Sequence, residues 1–136
     1  MVETSITIRN DISELRQLAK WAGLFCDANG LQAHEHRLTL VLEELLTNVI
    51  AYGYDDGAAH EINAQVKLEG GTLTAVFEDD GRPFNPHEAE KPVLTDPLET
   101  RTLGGLGIHL ILTIMDSVDY ARIADRNRTT MTLDIG

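Results

Sequence analysis

The stretch LVLEELLTNVIAYGY, residues 40–54, decides how the chain is read. At about 3.6 residues per turn, Leu38, Val41, Leu42, Leu45 and Val49 fall on one face, the pattern of an amphipathic helix. Glu43 and Thr47 point away and read as solvated positions. Glu44 and Asn48 do neither. Four residues apart, they stack along one edge of the apolar stripe, with Asn48 almost in line with Val41. A lone Glu–Asn pair at this spacing is usually a surface contact worth a few tenths of a kcal/mol, so its meaning depends on the rest of the chain.

The chain has 136 residues, 43% hydrophobic and 24% charged, which is the make-up of one soluble globular domain. No apolar run approaches the length of a membrane span, and the polar start MVETSITIRND does not read as a signal peptide. The single cysteine, Cys26, excludes an internal disulfide and fits a reducing cytoplasm. It lies on a helical stripe with Ile12, Leu15, Ala19 and Ala22, which makes it a small core residue. The net charge of −11, with basic residues scattered, argues against direct nucleic-acid binding through phosphates. An acidic domain still binds a polyphosphate where a divalent metal and backbone N–H groups supply local positive charge.

Residues 4–9 alternate as a first strand, and Asn10 or Asp11 caps the helix that follows, with Glu14 completing a capping box if Asp11 is the cap. That helix runs to about Ala28 and Gly30 stops it. A second helix covers about Gln32 to Tyr52. Ile62, Ala64, Val66 and Leu68 alternate as a strand, Gly70-Gly71 turns, and Leu73, Ala75 and Phe77 return as a hairpin. Gly81 to Gly105 has no periodicity and holds all four prolines, as a functional loop often does. IHLILTIMD forms a short apolar helix, and Val118–Ile123 and Thr129–Ile135 close the chain around ADRNR. The order β-α-α-β-β-α-β-β, with helices gathered on one face, gives an α+β fold, a two-layer sandwich.

Three segments carry the chemistry: Glu44-x-x-x-Asn48 on the second helix, FEDDGRPFNP after the hairpin, and Gly104-Gly105-Leu106-Gly107-Ile108-His109 before the last helix. Together they resemble the N, G1 and G2 boxes of the GHKL (Bergerat) ATP-binding superfamily. Within it, EELLTNVIAYGY, FEDDGRPFNP and GGLGIHLILTIMD are most similar to the RsbW/SpoIIAB-type anti-sigma factors, which are serine-protein kinases. The resemblance covers nearly the whole chain. It implies a mixed, mostly antiparallel sheet and one histidine kinase-like ATPase domain over 1–136, with an ATP lid at about 86–103.

The roles that the resemblance implies agree with the chemistry of the residue types. Asn48 offers an oxygen to Mg²⁺, a hard ion that prefers oxygen ligands. Glu44 is the catalytic residue, near the γ-phosphate, accepting the proton of a serine hydroxyl or orienting a water. Asp79 accepts from the exocyclic amine of adenine, and Gly81 lets the backbone pass close to the base. Gly104, Gly105, Leu106 and Gly107 open the last helix, whose free N–H groups and positive dipole end suit phosphates.

The chain departs from the family pattern at Pro83, where a second glycine is common, and at Tyr52, where the anti-sigma branch often has His. Pro83 still belongs to the nucleotide-binding set. His34 and His36 point to different sides of a helix and make no metal site; His109 packs or faces solvent. The partners implied are a sigma factor, sequestered, and an anti-anti-sigma (STAS-type) antagonist, phosphorylated on serine; the same resemblance allows a homodimer. The competing reading is a non-catalytic ATP-binding module in a partner-switching system. Arg16, at the edge of the first helix's stripe, is a solvated arginine on its own terms and an antagonist contact by resemblance.

Overall fold

Alternation in the middle of the chain builds the centre of a five-stranded sheet. The computed structural model describes residues 1–88 and 105–136. Its elements are β1 (Val2–Arg9), α1 (Glu14–Ala28), α2 (Glu35–Tyr52), β2 (Glu61–Glu69), β3 (Thr72–Asp79), α3 (Gly105–Ile114), β4 (Ser117–Ile123) and β5 (Arg126–Asp134). The strand order is β1-β2-β3-β5-β4. Every described pairing is antiparallel, so no parallel pair accompanies the hairpins.

One sheet face is apolar and the other polar, as period-2 alternation dictates. Ile62, Ala64 and Val66 of β2, Leu73, Ala75 and Phe77 of β3, and Met131 and Leu133 of β5 are buried beneath the helices. On α2, Leu38, Val41, Leu42, Leu45 and Val49 are buried as the 3.6-residue period requires, together with Leu46. Removing one such side chain to Ala costs about 2–5 kcal/mol, because its transfer energy is lost and a cavity remains. α2 lies between α1 and α3 and packs on both. The site described below is therefore built on the most heavily packed helix.

Turn chemistry agrees with the backbone. Gly70 and Gly71 have φ of 60° and 106°, which glycine adopts without a Cβ clash. The β4–β5 connection is only Ala124-Asp125, with φ of 51° and 62°, the two left-handed residues of a tight hairpin turn. The polar run ADRNR reads as a five-residue turn, but Arg126, Asn127 and Arg128 are already paired in β5. Asp11 accepts the Ser13 N–H at 3.0 Å in the turn that leads into α1, but the N-cap is Ser13, with no side-chain cap bond, so neither Asn10 nor Asp11 is the cap. Ile12 falls in that entry turn ahead of α1 and is exposed, which removes it from the stripe; Leu18, Ala22, Phe25 and Cys26 form the buried face. Burial pushes the Cys26 thiol up to about 11, so it stays protonated and inert. Gln32–His34 is a 3-10 turn ahead of α2; of the lid expected at about 86–103, Pro86–Glu88 form a 3-10 turn and 89–103 lie outside the described residues.

Candidate functional site

A cavity of about 210 Å³ opens between α2, the end of β3 and β5. That is many times the roughly 10–15 Å³ needed for one water. Leu45, Val49, Phe77, Phe84 and Pro83 give it apolar walls, and Asn48, Asp79, Asn127 and Thr129 supply polar groups. A few convergent polar groups in an apolar cleft are what a small-molecule site needs. The hydroxyl of Tyr52, also in the wall, is buried with no hydrogen-bond partner among the described residues. An orphaned buried hydroxyl is costly unless a ligand or water completes it.

Asn48 and Asp79 are both buried, and α2 and β3 bring them into the same wall. Burial raises the affinity of Asp79 for a proton; hydrogen bonds from Asn127 and the Gly81 N–H, at 3.0 and 2.9 Å, oppose that rise. Gly81 lies behind this wall. A Cβ there would stand 2.9 Å from both the Asp79 Oδ2 and the Gly53 carbonyl oxygen, so only glycine fits without a shift. The carbonyl of Gly81 accepts from Arg122 at 2.7 Å, and the Arg82 N–H bonds to Gly53 at 3.0 Å. The turn after β3 is thereby tied to the end of α2 and to β4.

Glu44 is outside the wall of the cavity, one turn before Asn48. Its carboxylate faces Gly107 in the first turn of α3, where any Cβ would run into it. The N and G2 segments therefore meet, and the small residue at 107 makes room for the acid. Gly105 and Leu106 begin α3, and Gly104 lies outside the described residues. His109 is exposed, and among the described residues no three His, Cys, Asp or Glu side chains form a metal cluster.

Beyond Asp79 a second network fastens the loop after α2. Asp80 accepts from the Tyr54 hydroxyl at 2.7 Å, His60 stacks on Tyr54 at 4.1 Å, and its ring nitrogens face Asp56 at 2.7 Å and Asp80 at 3.3 Å. The bond to Asp56 raises the His60 pKa above its ordinary value. A raised imidazole pKa contributes stability that is complete below the unfolded value and is lost as pH rises through the folded one. Asp56→Asn should move the His60 NMR titration back toward about 6.5. An unmoved titration would mean that Asp56 does not hold this ring.

Thr129 and Asn127 are the site residues that the sequence reading missed. The Phe77–Thr129 and Asp79–Asn127 register pairs bring both into the wall.

With this geometry in place, the Histidine kinase-like ATPase domain family matches residues 8–133. The chain belongs to that family. An anti-sigma F factor from Anoxybacillus flavithermus is 29% identical over 85 residues, 61% of this chain. The match spans 58% of that relative's length. The Acinetobacter baumannii histidine kinase AdeS covers 100% of the chain at a TM-score of 0.54 and 13% identity, a likeness of fold alone. The match spans 70% of that structure. No helix of the described residues is long and apolar enough to cross a membrane. In this ATPase-domain family member, the three motif segments fall on α2, on the end of β3 and at the start of α3.

Proposed function

We propose that this chain binds Mg-ATP and transfers its γ-phosphoryl group to a serine of an anti-anti-sigma antagonist, while sequestering a sigma factor. The observation that carries the reading is the meeting of Glu44 with Gly107 at the start of α3, one helical turn from Asn48 in the cavity wall. A site that only held a nucleotide would not need a carboxylate at the helix end that suits phosphates.

Asp79 accepts from the amine of the base, and the unpartnered Tyr52 hydroxyl in the same cavity wall is open to a bound group. Gly81 and Pro83 shape the turn beside the base, and the free N–H groups at the start of α3, from Gly105 to Gly107, suit the phosphates. Asn48 would hold a Mg²⁺ ion through its side-chain oxygen, the ligand type that this hard ion prefers. When bound, Mg²⁺ neutralises charge on the phosphates. Glu44 takes the proton from the attacking serine oxygen as that oxygen bonds to phosphorus and the bond to the β-phosphate bridge breaks. Support for the partner classes comes from the similarity to an anti-sigma F factor. The test is incubation with γ-labelled ATP and candidate antagonists. Label on a serine supports the reading, and nucleotide binding without transfer to any of them leaves a passive ATP module.

Arg16 is exposed on α1, a cation on a chain of net charge −11. An exposed arginine that forks onto a carboxylate of a partner acts as a hot spot worth about 2 kcal/mol or more. Arg16→Ala should weaken antagonist binding more than about tenfold at unchanged ATP affinity. Isothermal titration with both ligands checks this; equal losses would mean a damaged fold, and no loss plain surface.

A further inference from the structure

Asn127 sits at the centre of the polar network behind the cavity. It stands directly across from Asp79 in the β3–β5 register, and both are buried. Two groups with a single role each fix the orientation of its amide: the Phe84 N–H donates to Oδ1 at 3.3 Å, and the Arg82 carbonyl accepts from Nδ2 at 2.7 Å. The Tyr120 hydroxyl donates to the same Oδ1. The amino group is thereby turned to Asp79 and donates to Oδ2, the oxygen that also receives the Gly81 N–H. Oδ1 of Asp79 receives no hydrogen bond among the described residues.

We infer that Asn127 is a positioning residue for base recognition: it holds Asp79 by Oδ2, keeps the carboxylate an acceptor, and leaves Oδ1 for the exocyclic amine of a base. The inference rests on the ATP reading. A base with a carbonyl at that place presents a second acceptor and is rejected, because two acceptors face each other without a proton. Asn127 acts in two ways. Its amide fixes the angle of the carboxylate, and its N–H favours the ionised form against burial. The other groups facing Asp79 are Asp80 beside it, the Gly81 N–H, Arg122 from β4 and Tyr54 from the segment after α2. Asp80 opposes ionisation, whereas Arg122 and the Gly81 N–H favour it.

The decisive measurement is the pH dependence of ADP and GDP binding by calorimetry, with circular dichroism as a check on folding. Parent affinity for ADP falls as pH is lowered and Asp79 takes up a proton. Asn127→Asp is isosteric but replaces the donor with an acceptor. Its ADP affinity should be at least about tenfold lower at neutral pH. It should then rise as pH falls, because a proton shared by the two carboxylates restores a donor to Oδ2. Asn127→Ala, which removes the amide without adding charge, should shift the acidic limb of ADP binding to higher pH and narrow the preference for ADP over GDP. If Asn127→Asp does not fold, the Ala variant decides alone. Parent-like pH profiles, or a uniform loss for both nucleotides with the limb unmoved, overturn the inference. A parent that binds neither nucleotide overturns the ATP reading and this inference with it.

Discussion

Glu44→Ala should bind ATP as the parent does and transfer phosphoryl groups about 10²–10⁴ times more slowly, the usual contribution of a positioned general base. The split follows from where the side chain stands. Glu44 lies outside the wall of the cavity and against the start of α3, so removing it leaves the base-binding end intact. Single-turnover transfer from γ-labelled ATP, beside calorimetric ATP affinity, separates the two quantities. Asn48→Ala should reverse the pattern, since its loss is one of metal-dependent binding. Full transfer by Glu44→Ala would assign the base to another residue.

Asp79→Asn should lower adenine-nucleotide affinity about ten- to a hundredfold, from the loss of a charged hydrogen bond of about 1.5–3 kcal/mol. The nucleotide-free variant should melt no lower than the parent. Burial raises the Asp79 pKa, so the folded state binds that proton more tightly than the unfolded one, and the ionised group costs stability above its folded value. Neutral asparagine avoids that cost and still accepts from Gly81. Calorimetry and a thermal melt give the two readings; unchanged affinity would remove Asp79 from base recognition.

The parts of the fold that local period encodes were legible in the sequence. The α2 stripe and the β2–β3 hairpin about Gly70-Gly71 follow from spacing and turn chemistry alone. Glu44 and Asn48 were visible because they interrupt the edge of an apolar stripe, whereas Asp79 was singled out only through the resemblance of FEDDGRPFNP to a family motif. Asn127 gave no such signal, because DRNR reads as turn. Its role appears only when β5 lies against β3 and Asn127 reaches Asp79, 48 positions away in the chain. Ile12 shows the opposite failure: its spacing suits a helix, but the Asp11–Ser13 turn leaves it ahead of α1. The contact between Glu44 and Gly107 likewise depends on how α2 and α3 pack, which neither motif contains.

The place of β5 inside the sheet, between β3 and β4, has a consequence for the order of assembly. β3 has β2 on one side as a local hairpin, but its other neighbour is β5, and the hairpin partner of β5 is β4 at the far edge. The wall that carries Asp79 is therefore completed by a non-local pairing, which must meet its loop-closure entropy before its contacts form. During synthesis the polypeptide must be made past Asn127 before that pairing can begin beside Asp79, and to Asp134 before it is complete. A nascent chain that stops short of β5 lacks both Asn127 and Thr129, so this wall of the cavity is incomplete until the last strand is made.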